Sequence, residues 1–149
     1  MLGKIFIYTV IATLTIFVIN PSYFTYVYFL TRPLMQPFAI EKIMVFGVPL
    51  TGIVSLQLVG FTIFWGVVRK DFSFRVPNII PLCFLLIIAL FSVVNTLDSY
   101  ASLLGFAKLL TAVMSYVLVY NIVKTEDEAK SLLWLIVIAT LVPLSLIHI

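Results

Sequence analysis

Charge is what this chain has least of. Charged residues fill 10% of its 149 positions while hydrophobic residues fill 63%, against roughly 25% charged in an ordinary soluble domain. A soluble protein of this length has too much surface to cover with so few charges, which excludes a water-facing globular domain. The single cysteine, Cys83, lies inside an apolar run, so it has no internal disulfide partner and reads as a small hydrophobe. The single histidine, His148, sits at the extreme end without a candidate partner. There is no Ser/His/Asp set, no paired carboxylates, no metal-ligand spacing and no glycine-rich phosphate loop. No cofactor or metal is therefore expected, and these residues alone do not make a catalytic site. The net charge of +3 does not point to nucleic acid, because no basic patch interleaves with aromatics. The cations instead stand at the ends of apolar runs, where lipid headgroups and insertion orientation account for them.

What the chain does have is length without charge. No residue is formally charged between Lys4 and Arg32, from Ile43 to Val68, from Val76 to Leu97, or from Ser131 to Ile147. The stretch from Ser99 to Asn121 is broken only by Lys108. A bilayer core about 30 Å thick takes about 20 apolar residues as helix, and lipid cannot satisfy bare backbone groups. The pattern predicts an all-α, polytopic transmembrane bundle, a single domain with about five spans at 5–30, 44–68, 77–95, 99–123 and 130–147.

Punctuation along the chain sets these spans. Lys4 and the apolar run after it resemble a signal peptide, but Asn20-Pro21-Ser22 offers no small-x-small cleavage pattern. Pro21 predicts a kink or stop, with Tyr23, Phe24, Tyr26, Tyr28 and Phe29 as an aromatic belt at the outer headgroups. Pro77 and Pro81 fall near a first helical turn, where proline is tolerated. Asp98 reads as an N-cap, and Thr125 preceding Glu128 by three residues reads as a capping box. Glu126, Asp127 and Glu128 suit a solvated first turn.

Lysine and arginine set the orientation. With the N-terminus inside, Lys4, Arg69, Lys70, Arg75, Lys124 and Lys130 are cytoplasmic, six cations against Arg32 and Lys42 outside. Trp65 and Trp134 each lie four residues from an inner boundary. The N-terminus is thus expected in the cytoplasm, with Arg69, Lys70 and Arg75 as topology determinants.

Lys108 is the sharpest local signal. A lysine about ten residues into a membrane helix is costly unless it meets protein, water or an anion. Ala101, Gly105, Ala112 and Ser115 share its helix face at spacings of three and four, forming a small-residue packing stripe. Two readings stand side by side: a structural lysine held by carbonyls of a neighbouring helix, and a cation facing an anionic lipid-linked substrate. Asp98 is on the same stripe but about 15 Å away along the axis, too far for a direct pair. Arg32, with Pro33, is either an interfacial anchor or a phosphate contact.

The order of features resembles a known family. Tyr28-Phe-Leu-Thr-Arg-Pro-Leu34 closes the first span, and Phe46-Gly-Val-Pro-Leu-Thr-Gly-Ile-Val-Ser55 opens the second, which ends in Arg69-Lys70. Ser92-Val-Val-Asn-Thr-Leu-Asp-Ser99 is followed by Leu103-Leu-Gly-Phe-Ala-Lys-Leu-Leu-Thr111. Tyr116-Val-Leu-Val-Tyr-Asn-Ile-Val-Lys-Thr-Glu-Asp127 leads into Ile138-Ala-Thr-Leu-Val-Pro-Leu144. This looks like the N-terminal third of the O-antigen ligase and O-antigen polymerase family of bacterial inner-membrane proteins. The resemblance spans nearly the whole chain and rests on hydropathy order and loosely specific motifs.

The resemblance implies periplasmic transfer of a polysaccharide carried on undecaprenyl diphosphate, as in lipopolysaccharide or capsule assembly. It implies about a dozen spans and a large periplasmic loop bearing the family's arginines and histidine, which this chain does not contain. Arg32 and Lys108 are the positions assigned to the diphosphate or glycan path. Besides that glycan, membrane lipids are the expected partners. The closing Ser145-Leu-Ile-His-Ile149 resembles translated adapter sequence, so the chain is read as a fragment, inactive alone. The alternatives are a small integral membrane protein with a structural or assembly role, and a transporter fragment.

Overall fold

The structure is a computed structural model that describes residues 15, 20–35, 44–45, 48–96 and 98–147. Apart from Thr15, the expected helical stretch 5–19 lies outside the described residues, as do Lys4, Lys42 and His148. The described chain is helical, in the order α1 (Pro21–Met35), β1 (Met44–Val45), β2 (Val48–Pro49), α2 (Leu50–Val68), α3 (Ile79–Val94), α4 (Ser99–Ile122) and α5 (Glu126–Ile147). β1 and β2 are a minimal antiparallel pair, with Met44 opposite Pro49 and Val45 opposite Val48. The chain divides into two compact units, Met1–Thr51 with Ile122–Ile149, and Gly52–Asn121.

In the first unit, Pro21 begins a helix. The Asn20 side-chain oxygen accepts the Ser22 N–H at 3.0 Å and the Tyr23 N–H at 3.5 Å, which satisfies donors that a helix start leaves free. Proline at the next position loses nothing, since its missing N–H would have been an orphan there. The helix continues past the expected boundary at residue 30 to Met35, carrying Arg32 in its last turn, where a cation complements the helix dipole.

α1 packs along α5. Phe24, Thr25 and Tyr28 of α1 are buried, as are Leu132 and Ala139 of α5. The Tyr26 hydroxyl donates to the Glu128 carbonyl at 3.5 Å. Phe24 and Tyr28, one turn apart, stack at 6.4 Å between ring centroids.

α5 opens on a reciprocal capping box. The Glu128 N–H donates to the Thr125 hydroxyl at 3.3 Å. The Glu128 carboxylate accepts the Thr125 N–H at 3.1 Å and the Lys124 N–H at 2.8 Å. The helix therefore begins at Glu126, four residues ahead of the span expected at 130–147, because this polar turn is helical as well as solvated. Lys130 adds exposed ion pairs to Glu126 at 3.7 Å and Asp127 at 4.0 Å.

The helix expected from 44 starts only at Leu50 and enters the second unit at Gly52. Proline at 49 has no N–H and biases Val48 toward extended backbone, so residues 48–49 pair as strand instead. α3 starts at Ile79 and not at 77, because Asn78 takes a left-handed conformation with φ 58°. The first helical bond there is from the Leu82 N–H to the Asn78 carbonyl at 3.3 Å. α4 is capped by Asp98, whose carboxylate accepts the Ala101 N–H at 3.0 Å.

The loop from Arg69 to Asn78 is pinned at two points. The Phe74 ring lies over Gly66, where a Cβ would overlap it. The Asn121 side chain brackets Ser73, accepting its N–H at 2.8 Å and donating to its carbonyl at 2.9 Å.

Among the described residues, one helix, Tyr100–Ile122, is long and apolar enough to cross a membrane. Gly52–Val68 and Ile79–Val94 are apolar and shorter. Five threonine hydroxyls inside the helices are satisfied by their own turns. Thr25, Thr31, Thr62, Thr111 and Thr140 each donate to the carbonyl four residues back, at 2.7–3.0 Å. Among the described residues no buried side-chain nitrogen or oxygen is left without a partner.

The cap predicts a pH dependence. Backbone hydrogen bonds from Lys124 and then Thr125 lower the Glu128 carboxyl below its ordinary value of 4.5. Because the folded-state value is the lower one, the cap's contribution is present above about pH 4.5 and lost as pH falls through the depressed value. Protection of the Lys124 and Thr125 amides, measured against their intrinsic exchange rates at each pH, should fall on acidification through that window. Glu128→Gln, which carries no ionisable carboxyl, should remove the dependence.

Candidate functional site

The second unit holds a shallow concavity among its described residues. Asn78, Pro81 and Leu82, at the start of α3, face Leu109, Ala112, Val113 and Tyr116 of α4 across an open groove of about 400 Å³. Its walls are almost wholly apolar because Pro81, Leu82, Leu109, Ala112 and Val113 carry no side-chain polar atom. The groove is closed at one side by a single tie, the Tyr116 hydroxyl donating to the Pro77 carbonyl at 2.8 Å. The left-handed Asn78 lets the chain turn from Pro77 directly into α3 beside that tie. An apolar groove with a hydroxyl at its edge can hold a hydrocarbon chain. It has no nucleophile, base or metal ligands for chemistry on one.

Lys108 lies on α4 one turn before Ala112, which lines the groove. Its side chain is exposed, and among the described residues it has no carboxylate within ion-pairing distance. The small-residue stripe around it is open too. Ala101, Gly105 and Ala112 are exposed and Ser115 is half-buried, and a Cβ at Gly105 would meet nothing within 4 Å. α4 instead buries Thr111, Val113, Val117 and Leu118. The stripe and the buried face are thus different faces of one helix, and within the described chain the stripe is not a packing surface.

Arg32 stands in the other unit, half-buried in the last turn of α1 and already engaged in a contact of its own. Cys83 is exposed on α3. Among the described residues no cluster of His, Cys, Asp or Glu could hold a metal ion.

Sequence reasoning missed the groove and the residues that shape it. Asn78, Tyr116 and Asn121 are ordinary polar residues in a line of sequence. Only the fold gives them work, Tyr116 meeting Pro77 and Asn121 bracketing Ser73. Asn121 carried the one available signal, a poor helix former placed within the last turn of a long apolar helix.

Tyr116→Phe removes the tie to Pro77 and should cost about 0.5–1.5 kcal/mol, read as a lowered unfolding midpoint in detergent. A variant as stable as the parent would show that the hydroxyl does not hold the groove edge.

No protein-family model, curated protein or solved structure matches the chain, so the chain's own residues must carry its functional reading.

Proposed function

We propose that this chain is a multi-pass segment of a bacterial inner membrane protein of the O-antigen ligase and polymerase kind. Its helices would hold an undecaprenyl-diphosphate-linked glycan for transfer on the periplasmic side. The observation that carries the membrane part is α3. None of its residues is buried, yet all but Ser92 are apolar, and Ile80, Phe84, Phe91 and Val94 are 80%, 64%, 66% and 79% exposed. A helix apolar on every side, with no residue buried and only the face of Ile79, Leu82, Leu86, Ala89 and Val93 half-covered, is stable where the surrounding medium is hydrocarbon. The self-satisfied threonines fit the same medium, in which no water replaces a missing partner.

The glycan-carrier part rests on the family resemblance and is supported by Lys108 beside the groove. A polyprenyl carrier joins a long apolar chain to a diphosphate. The groove suits the first, and an exposed ammonium without a carboxylate partner among the described residues suits the second. No residue of this chain is assigned a catalytic role.

A second reading is favoured by the open stripe at Ala101, Gly105 and Ala112. A small membrane protein could use it to pack against another helix, with Lys108 bonded to that neighbour's carbonyls.

Two measurements test the proposal on the chain in lipid nanodiscs and in cells. Single cysteines at 36, 73, 98 and 127, in a Cys83-free background, should label from the periplasm at 36 and 98 only; periplasmic labelling at 73 or 127 would refute the orientation. Native mass spectrometry should show undecaprenyl diphosphate retained over undecaprenol. Lys108→Leu should reduce that preference about tenfold, the scale of one charge-assisted contact. Lys108→Arg should restore part of it, since arginine keeps the charge but brings a bulkier planar fork. Equal retention of the two lipids by the parent chain would leave the second reading.

A further inference from the structure

The loop joining α2 to α3 concentrates cations and holds them in place. Arg69, Lys70 and Arg75 are all exposed, with Asp71 the only acid among them. Arg69 is partly spoken for, 3.6 Å from the Asp71 carboxylate and 4.8 Å from the centre of the Trp65 ring. Lys70 and Arg75 have no ion-pair partner among the described residues. Between them, Phe72 and Phe74 meet edge-on at 5.3 Å.

This segment is a built surface as well as a charged turn. Asn121 brackets Ser73 through both its N–H and its carbonyl while anchoring its own amide on the Val117 carbonyl at 2.8 Å. The Ser73 hydroxyl accepts the Arg75 N–H at 3.1 Å. Phe74 closes over Gly66. The backbone on which Lys70 and Arg75 stand is therefore fixed before any partner arrives, which lowers the ordering cost of binding. On the α2 side the cations are flanked by Val67 and Val68, 79% and 57% exposed. Cations bordered by exposed valines, with phenylalanines between them, match an anionic headgroup above an acyl chain.

We infer that residues 69–75 form a docking surface for anionic phospholipid headgroups, with Lys70 and Arg75 as the phosphate contacts and the Asn121 clamp as the device that presents them. Its occupant is lipid of the surrounding leaflet, and charge complementarity selects it. This rests on the membrane reading above but not on the glycan carrier, since Lys108 takes no part.

Trp65, one turn before Arg69, is the natural reporter. The full chain, carrying Trp134→Phe so that Trp65 is the sole tryptophan, is reconstituted in vesicles of phosphatidylcholine and phosphatidylglycerol. Bromine is placed on the acyl chains of one lipid or the other. The parent should be quenched by brominated phosphatidylglycerol as though that lipid were enriched about fivefold at the site, the scale of one cation at an anionic surface. Lys70→Gln with Arg75→Gln leaves the Arg69–Trp65 pair untouched and should bring quenching down to the bulk mole fraction. Asn121→Ala keeps every charge and should lose about half of the enrichment, and full enrichment in that variant would overturn the role given to the clamp. Equal quenching by the two lipids in the parent overturns the docking surface while leaving membrane insertion standing. Absence of quenching by either lipid overturns the membrane reading and the docking surface with it.

Discussion

An α-helix satisfies its own backbone hydrogen bonds but not its own side chains, and α3 leaves most of that demand to its surroundings. It runs from Ile79 to Val94 without burying a residue. In water such a surface would drive association until it was covered. In hydrocarbon it is already solvated. In the proposed membrane setting, the remaining organisation fits that single difference. The five threonine hydroxyls return to their own helices. The carboxylates, and all but one of the cations on described residues, gather at helix ends and in the connecting turns. Asn20, Asp98 and Thr125 with Glu128 satisfy the helix starts through side chains of the chain itself.

The same constraint explains why the turns carry so much of the specific structure. In the proposed membrane setting, the exposed apolar side chains of the helices are interchangeable to a first approximation, since lipid tails are as apolar as leucine. Position is fixed by the few groups with directional demands. Ser73 held by Asn121, Pro77 held by Tyr116, and Phe74 seated on Gly66 set where α3 starts relative to α4. The groove beside Ala112 adjoins one of them, the Tyr116–Pro77 bond.

The helical class and the capped ends were legible in the sequence, because charge spacing and side-chain capping are local. Asp98 and the Thr125–Glu128 pair needed only three residues of context. The start of α2 was misread at 44, where the apolar run continues but the proline at 49 turns the backbone to strand. The start of α3 was misread by two residues, since hydropathy cannot register a left-handed Asn78. The stripe of Ala101, Gly105 and Ala112 was legible as a face, but not as an uncovered one. That depends on which side of α4 meets the rest of the unit, and Thr111, Val113, Val117 and Leu118 are buried there instead. The groove was illegible for the same reason, being made by residues about 30 positions apart.

Everything proposed about lipid-linked substrates and headgroups depends on hydrocarbon surrounding α3. Spin labels introduced one at a time from Ile79 to Val94 would test this directly, by comparing collision with molecular oxygen and with a water-soluble nickel chelate in reconstituted vesicles. The account predicts that oxygen collisions exceed nickel collisions around the whole circumference through the middle of the helix, with the balance reversing toward Asn78 and Asn95. A helical periodicity in which one face collides freely with nickel, or nickel access throughout, would contradict it.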